Sequence, residues 1–122
     1  MRGAWTMNEE LPVLVLWQKV IGEILDRTGK FPKAVRFTFS TRIDSLALDI
    51  LDDIVSARFL ARDEKVRVLR HADLCLARLM ALFRLCHERR LISDGGYEHL
   101  SRRLIEVGSM LGGWRESVRQ RR

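Results

Sequence analysis

From Lys33 to about Phe59 the chain contains neither proline nor glycine, and its apolar residues recur at steps of three and four. That combination favours a long amphipathic helix, because strands need period-two alternation and tight turns draw on glycine or proline. Val35, Phe39, Ile43, Leu46, Ile50, Ile54 and Ala57 form the apolar stripe, with Thr38, Thr41, Arg42, Ser45, Asp49, Asp52 and Ser56 on the other side. Phe37, Leu48, Leu51 and Val55 widen the stripe beyond what one bundle seam requires.

The flanking segments obey the same period. Asn8 followed by Glu9 and Glu10 reads as an N-cap with acidic residues at the positive end of a helix dipole, and Pro12 lies close enough to the start to be tolerated. Leu14, Trp17, Ile21 and Leu25 then face inward until Thr28, Gly29 and Lys30 end the first helix. After the second helix, Ala61 to Glu64 make a short connection in which Asp63 is the expected cap of a third helix running to about Arg90. Its core face is Val68, Leu69, Ala72, Cys75, Leu76, Leu79, Phe83 and Cys86. Leu91 to Gly96 read as a turn with Ser93 or Asp94 as the next cap, and a fourth helix from about Tyr97 to Arg119 turns Leu100, Leu104, Val107, Leu111, Trp114 and Val118 inward.

Connections of only a few residues force each helix to run antiparallel to the one before. The expected fold is all-α, an up-down-up-down four-helix bundle. A chain of 122 residues fits one domain, which buries about two-thirds of its unfolded surface without disulfides or metals. Residues 1–7 read as a disordered N-terminal extension and residues 8–122 as the bundle. Cys75 and Cys86 lie 11 residues apart on one expected helix, about 16 Å at 1.5 Å per residue, beyond the reach of a disulfide. They read as core residues in a reducing cytoplasm. The apolar run Leu11 to Leu16 is too short to span a bilayer and lacks a signal-peptide layout.

Charge narrows the function classes. Residues 1–62 hold 9 basic and 8 acidic residues, whereas residues 63–122 hold 13 and 8, so the surplus sits in the second half. Arginine supplies most of it, and its planar fork suits phosphate. The plainer reading is a surface kept soluble by charge. Arg67, His71, Leu74, Arg78, Ala81, Leu85 and Arg89 fall in one sector opposite the core of the third helix. Leucines interleaved with arginines suit a subunit interface or a partner groove, which makes Leu74 and Leu85 the expected oligomer contacts. Single exposed leucines are the alternative.

In the fourth helix, Gly108, Gly112 and Gly113 each cost up to about 1 kcal/mol relative to alanine. Either a close neighbouring backbone or a bend offsets that. Arg102 and Arg103, with Arg115, Arg119, Arg121 and Arg122, give this helix a basic end that could follow a phosphate backbone. No helix-turn-helix spacing, zinc finger or aromatic stacking platform accompanies it, so any nucleic-acid binding is electrostatic and shape-led.

Catalysis finds no support. There is no glycine-rich phosphate loop, nucleophile elbow or zincin motif. A metal site from His87, His99 and Glu88 can be drawn, but the paired Glu-x-x-His motifs of di-metal bundles are missing. No cofactor or metal is expected.

Two strings add a resemblance. Phe31-Pro32-Lys33 and then Arg36-Phe37, opening the second helix, resemble the corresponding start in bacterial four-helix bundle proteins encoded in intervening sequences of large-subunit ribosomal RNA genes. The string Ile105-Glu106-Val107-Gly108-Ser109-Met110-Leu111-Gly112-Gly113-Trp114 resembles more particularly the last helix of accessory variability determinant proteins (Avd) of diversity-generating retroelements, where a Glu-Val-Gly-x-x-Leu-Gly-x-Trp pattern occurs. The resemblance implies a homopentameric barrel of bundles, not an enzyme, that associates with the element's reverse transcriptase and template RNA. DNA or an RNA–DNA hybrid is the alternative nucleic acid, and no membrane is involved. Face geometry and charge nominate Arg67, Arg78, Arg89, Arg102, Arg103, Arg115 and Arg119 as the partner-binding residues.

Overall fold

The first helix is placed by proline. In the computed structural model, which describes residues 11–120, Leu11 is extended and Pro12 opens α1 (Pro12–Thr28), where its missing N–H costs nothing. Asn8, Glu9 and Glu10 fall outside the described residues, as does the expected extension; the N-cap is Leu11, without a side-chain cap. Three further helices follow: α2 (Thr41–Ala57), α3 (Arg62–Glu88) and α4 (Asp94–Gln120). The described residues hold four α-helices and no strand.

α1 packs against α2 and α4, α2 against α3, and α3 against α4, closing a bundle around one core. Side-chain pairs fix the directions. Trp17 meets Ala47 while Thr28 meets Asp44, and Arg62 meets Val118 while Arg115 meets Asp73. In both cases the partners run in opposite senses, as the short connections require.

The core consists largely of the residues that the apolar period selects. Ile43, Ile50, Ile54, Leu69, Leu79, Leu100, Val107 and Leu111 are each fully buried. Trp17 is also fully buried, and its indole N–H donates to the Ala47 carbonyl at 2.9 Å, so the polar edge of this large ring is satisfied. Leu25 departs from expectation: it is 43% exposed, and the inward positions at that end of α1 are Ile24 and Thr28. Thr28 is buried because its hydroxyl donates to Asp44 at 2.9 Å.

The expected continuous second helix is broken near its start. Lys33–Val35 form a 3-10 turn and Arg36–Ser40 a π-helical turn before α2 begins. The Thr41 hydroxyl donates to the Arg36 carbonyl at 2.8 Å and that of Thr38 to Val35 at 3.2 Å. Hydroxyls that bond preceding carbonyls compete with regular helix geometry. The wider turn leaves Phe37 85% exposed while Phe39 packs against the core.

The helix ends also differ from the sequence reading. Asp63 does not cap α3, whose N-cap is Ala61; Asp63 and Glu64 lie in the first turn, where their charge suits the dipole. α4 starts at Asp94, three residues earlier than expected, because the Ser93 hydroxyl accepts the Gly96 N–H at 3.0 Å. At Gly96 the helix start lies close to α1: a β-carbon would sit 2.7 Å from the Arg27 guanidinium, which would have to move aside. α3 stops in a Schellman arrangement, with Leu91 N–H on the Cys86 carbonyl and Arg90 N–H on His87. Arg90 takes the left-handed conformation there (φ 63°) that glycine usually occupies.

Candidate partner-binding surface

The arginines divide into two groups once the helices are packed. On the outer side of α3, Arg67, Arg78 and Arg89 are all exposed, and Leu74 (48%) and Leu85 (42%) lie exposed between them. These residues recur at steps of seven and four opposite the buried Leu69, Ala72, Leu76, Leu79 and Phe83. One side of the helix fills the core, and the other presents alternating guanidinium and leucine side chains. Arg67, Arg78 and Arg89 take part in no ion pair among the described residues.

Arginines on α4 are used differently. Arg115 forms an ion pair with Asp73 of α3, both side chains about three-quarters covered. Arg103 sits between Glu23 of α1 and Glu106 of its own helix, 3.5 Å from each, and Glu23 also accepts from the His99 ring at 3.0 Å. These two cations therefore join helices, and their charge is largely neutralised in place. Arg102 with Glu98 (3.3 Å) and Arg119 with Glu116 (3.7 Å) form exposed pairs along the helix. Such pairs contribute about 0.3–0.5 kcal/mol, so a phosphate can displace the carboxylate. Arg121 and Arg122 lie outside the described residues.

Arg70 and Arg84, outside the sector that face geometry selects, flank the α3 face, are exposed, and join no ion pair among the described residues. Their offset of three residues from Arg67 and Ala81 was the available signal. Arg62 has a structural task instead: it donates to the Val118 and Arg119 carbonyls at 3.2 and 2.6 Å, satisfying groups at the end of α4.

Apolar surface continues beyond α3. Phe37, Phe39, Leu46, Ala81 and Leu82 line an open groove between the π-helical turn, α2 and α3, with Arg78 among its lining residues. Leu48 of α2 is 47% exposed and Ile105 of α4 is 64% exposed. Gly112 and Gly113 have nothing within 4 Å of a would-be β-carbon, and Gly108 only an ordinary contact with Leu76 at 3.7 Å. Within one chain, then, no close helix approach requires these glycines.

The histidines do not assemble the site that His87, His99 and Glu88 suggested. His87 bonds Asp94 at 2.6 Å and stacks on Tyr97, whereas His99 bonds Glu23. The described residues contain one group of three potential metal ligands, and it lies elsewhere: Asp53, His71 and Cys75.

Set against known families, residues 13–118 match the family model described as bAvd-like. The chain belongs to the bAvd-like family. A search of the curated proteins finds no match. The match spans all four helices, so the membership concerns the whole bundle. A bAvd-like protein is an Avd-type accessory protein, and such accessory proteins are in general non-catalytic. No helix among the described residues is long and apolar enough to cross a membrane.

Proposed function

We propose that this chain assists a retroelement reverse transcriptase by binding the enzyme and its template RNA, and so supports mutagenic copying of a template into a variable gene. The bAvd-like match over residues 13–118 carries the reading. The α3 face supports it, because guanidinium groups without an internal carboxylate are available to phosphate, whereas those tied to Asp73 or Glu23 are not.

The binding unit in this reading is an assembly. Leu74 and Leu85, with Phe37 and the groove beside it, leave more apolar surface than one bundle covers. Burial between copies, in a ring of five as in the barrel that the Avd resemblance implies, places the arginines repeatedly around a common axis. RNA would then be held by a multivalent basic surface, with DNA or an RNA–DNA hybrid as the competing ligand.

Co-purification tests the role. A reverse transcriptase encoded beside this gene should bind the full chain at moderate salt, together with its template RNA. Failure to bind the enzyme removes the role. A gene neighbourhood without a reverse transcriptase and repeat pair would favour a scaffold of the ribosomal intervening-sequence type.

A further inference from the structure

The group formed by Asp53, His71 and Cys75 is not used by the proposed function, and among the described residues it brings three potential metal ligands together. Asp53 comes from α2, and His71 and Cys75 from α3, where a spacing of four residues puts both on one side of the helix. His71 Nδ1 is 2.6 Å from Asp53 Oδ2, and Cys75 Sγ is 3.9 Å from both ring nitrogens of His71. One ligand atom from each residue lies within 4.8 Å of the others.

We propose that Asp53, His71 and Cys75 bind a thiophilic divalent cation, with Zn²⁺ the best fit, at the seam between α2 and α3. Tetrahedral zinc with bonds of 2.0–2.3 Å needs donor atoms roughly 3.3–3.8 Å apart. The Cys75–His71 separation is therefore nearly right. The shorter His71–Asp53 distance is that of the hydrogen bond that the ion replaces. One sulfur, one nitrogen and one oxygen donor favour zinc over calcium or magnesium, which take oxygen.

Access and charge agree with this assignment. Cys75 is 1% exposed and the Asp53 side chain 17%, while the His71 side chain is 51% exposed, so the group is covered at the thiol and open to solvent at the imidazole. That opening supplies the fourth ligand as water. Asp49 and Asp52 of α2 add negative potential at Asp53, and Arg78 of α3 is the opposing charge near Cys75. Burial pushes the Cys75 thiol and the Asp53 carboxyl up from their ordinary values. Binding releases the thiol proton to solvent as sulfur–metal replaces sulfur–hydrogen, and the ring nitrogen facing the ion must be unprotonated.

Titration of the chelator-stripped full chain with Zn²⁺ alone should show one saturable site per chain. Co²⁺ in its place should give a thiolate-to-metal charge-transfer band. His71→Asn and Asp53→Asn should each weaken Zn²⁺ binding at least tenfold with helicity unchanged, and Cys75→Ser should abolish the cobalt band. Cys86→Ser should leave both signals intact, because that thiol joins no group of three potential ligands among the described residues. His71 is largely exposed, so His71→Asn remains informative even if Cys75→Ser disturbs the core. Equal Zn²⁺ affinity in His71→Asn, binding without a thiolate band, or no saturable site would each overturn the assignment. These readouts require neither RNA nor reverse transcriptase.

Discussion

The outer face of α3 and the inner side of α4 carry the same residue type to opposite ends. On α3, Arg67, Arg78 and Arg89 alternate with Leu74 and Leu85 and find no carboxylate among the described residues. On α4, Arg103 and Arg115 are mostly covered and paired with Glu23, Glu106 and Asp73. A count of basic residues treats the two regions alike. Packing separates cations that hold the bundle together from cations left without a carboxylate among the described residues, and the difference is set by what the neighbouring helix presents.

The largest expected effect concerns the leucines. Leu74→Asp or Leu85→Asp should dissociate the proposed assembly to the 14.2 kDa chain, because each removes an apolar contact and desolvating a carboxylate in an interface costs several kcal/mol. Helicity should stay unchanged, as both positions are exposed in the single bundle. An unaltered mass by light scattering breaks the comparison on the α3 side.

Next in size is Arg115→Ala, which strands a mostly covered Asp73 and should lower stability by about 1–2 kcal/mol. Arg67→Ala should stay within about 0.5 kcal/mol, and thermal melts of the two variants measure the division directly. Similar losses in both would erase it. Gly113→Ala should raise the stability of the isolated bundle by up to about 1 kcal/mol, since a β-carbon meets nothing there. If the same change weakens self-association, α4 also faces a neighbouring copy.

An effect confined to alkaline pH lies on the inner side of α3, where burial pushes the Cys86 thiol up to about 11 from 9.0. Its folded value is raised, so its contribution to stability is present below pH 9.0 and is lost as the pH rises through about 11. Alkaline denaturation over that window should flatten in Cys86→Ala, and an identical profile would show that the thiol does not drive it.

Regular burial made most of the bundle legible in sequence. The steps from Ile43 to Ala57 and from Leu69 to Cys86 encode which face turns inward, and every one of those positions packs accordingly. The exposed sector of α3 follows from the same geometry. Local competition was harder to read: Thr38 and Thr41 redirect backbone carbonyls and break the regular helix, although their segment has suitable apolar spacing. Long-range pairing was not legible at all. Nothing in the spacing says that Arg115 will meet Asp73, 42 residues away, or that Asp53 will reach His71 from another helix. Those contacts depend on helix rotation and axial offset, which side chains across the seam decide together.

The most direct measurement is the salt dependence of RNA affinity for the unaltered chain, for Arg67, Arg78 and Arg89 replaced together by Gln, and for Arg103 replaced by Gln. The triple variant should bind more weakly, with its logarithmic salt slope reduced by about 2, as expected for losing three contacts to a single strand. Arg103→Gln should keep the original slope. Unchanged affinity and slope in the triple variant, with the loss appearing in Arg103→Gln, would contradict the assignment of binding to the outer face of α3.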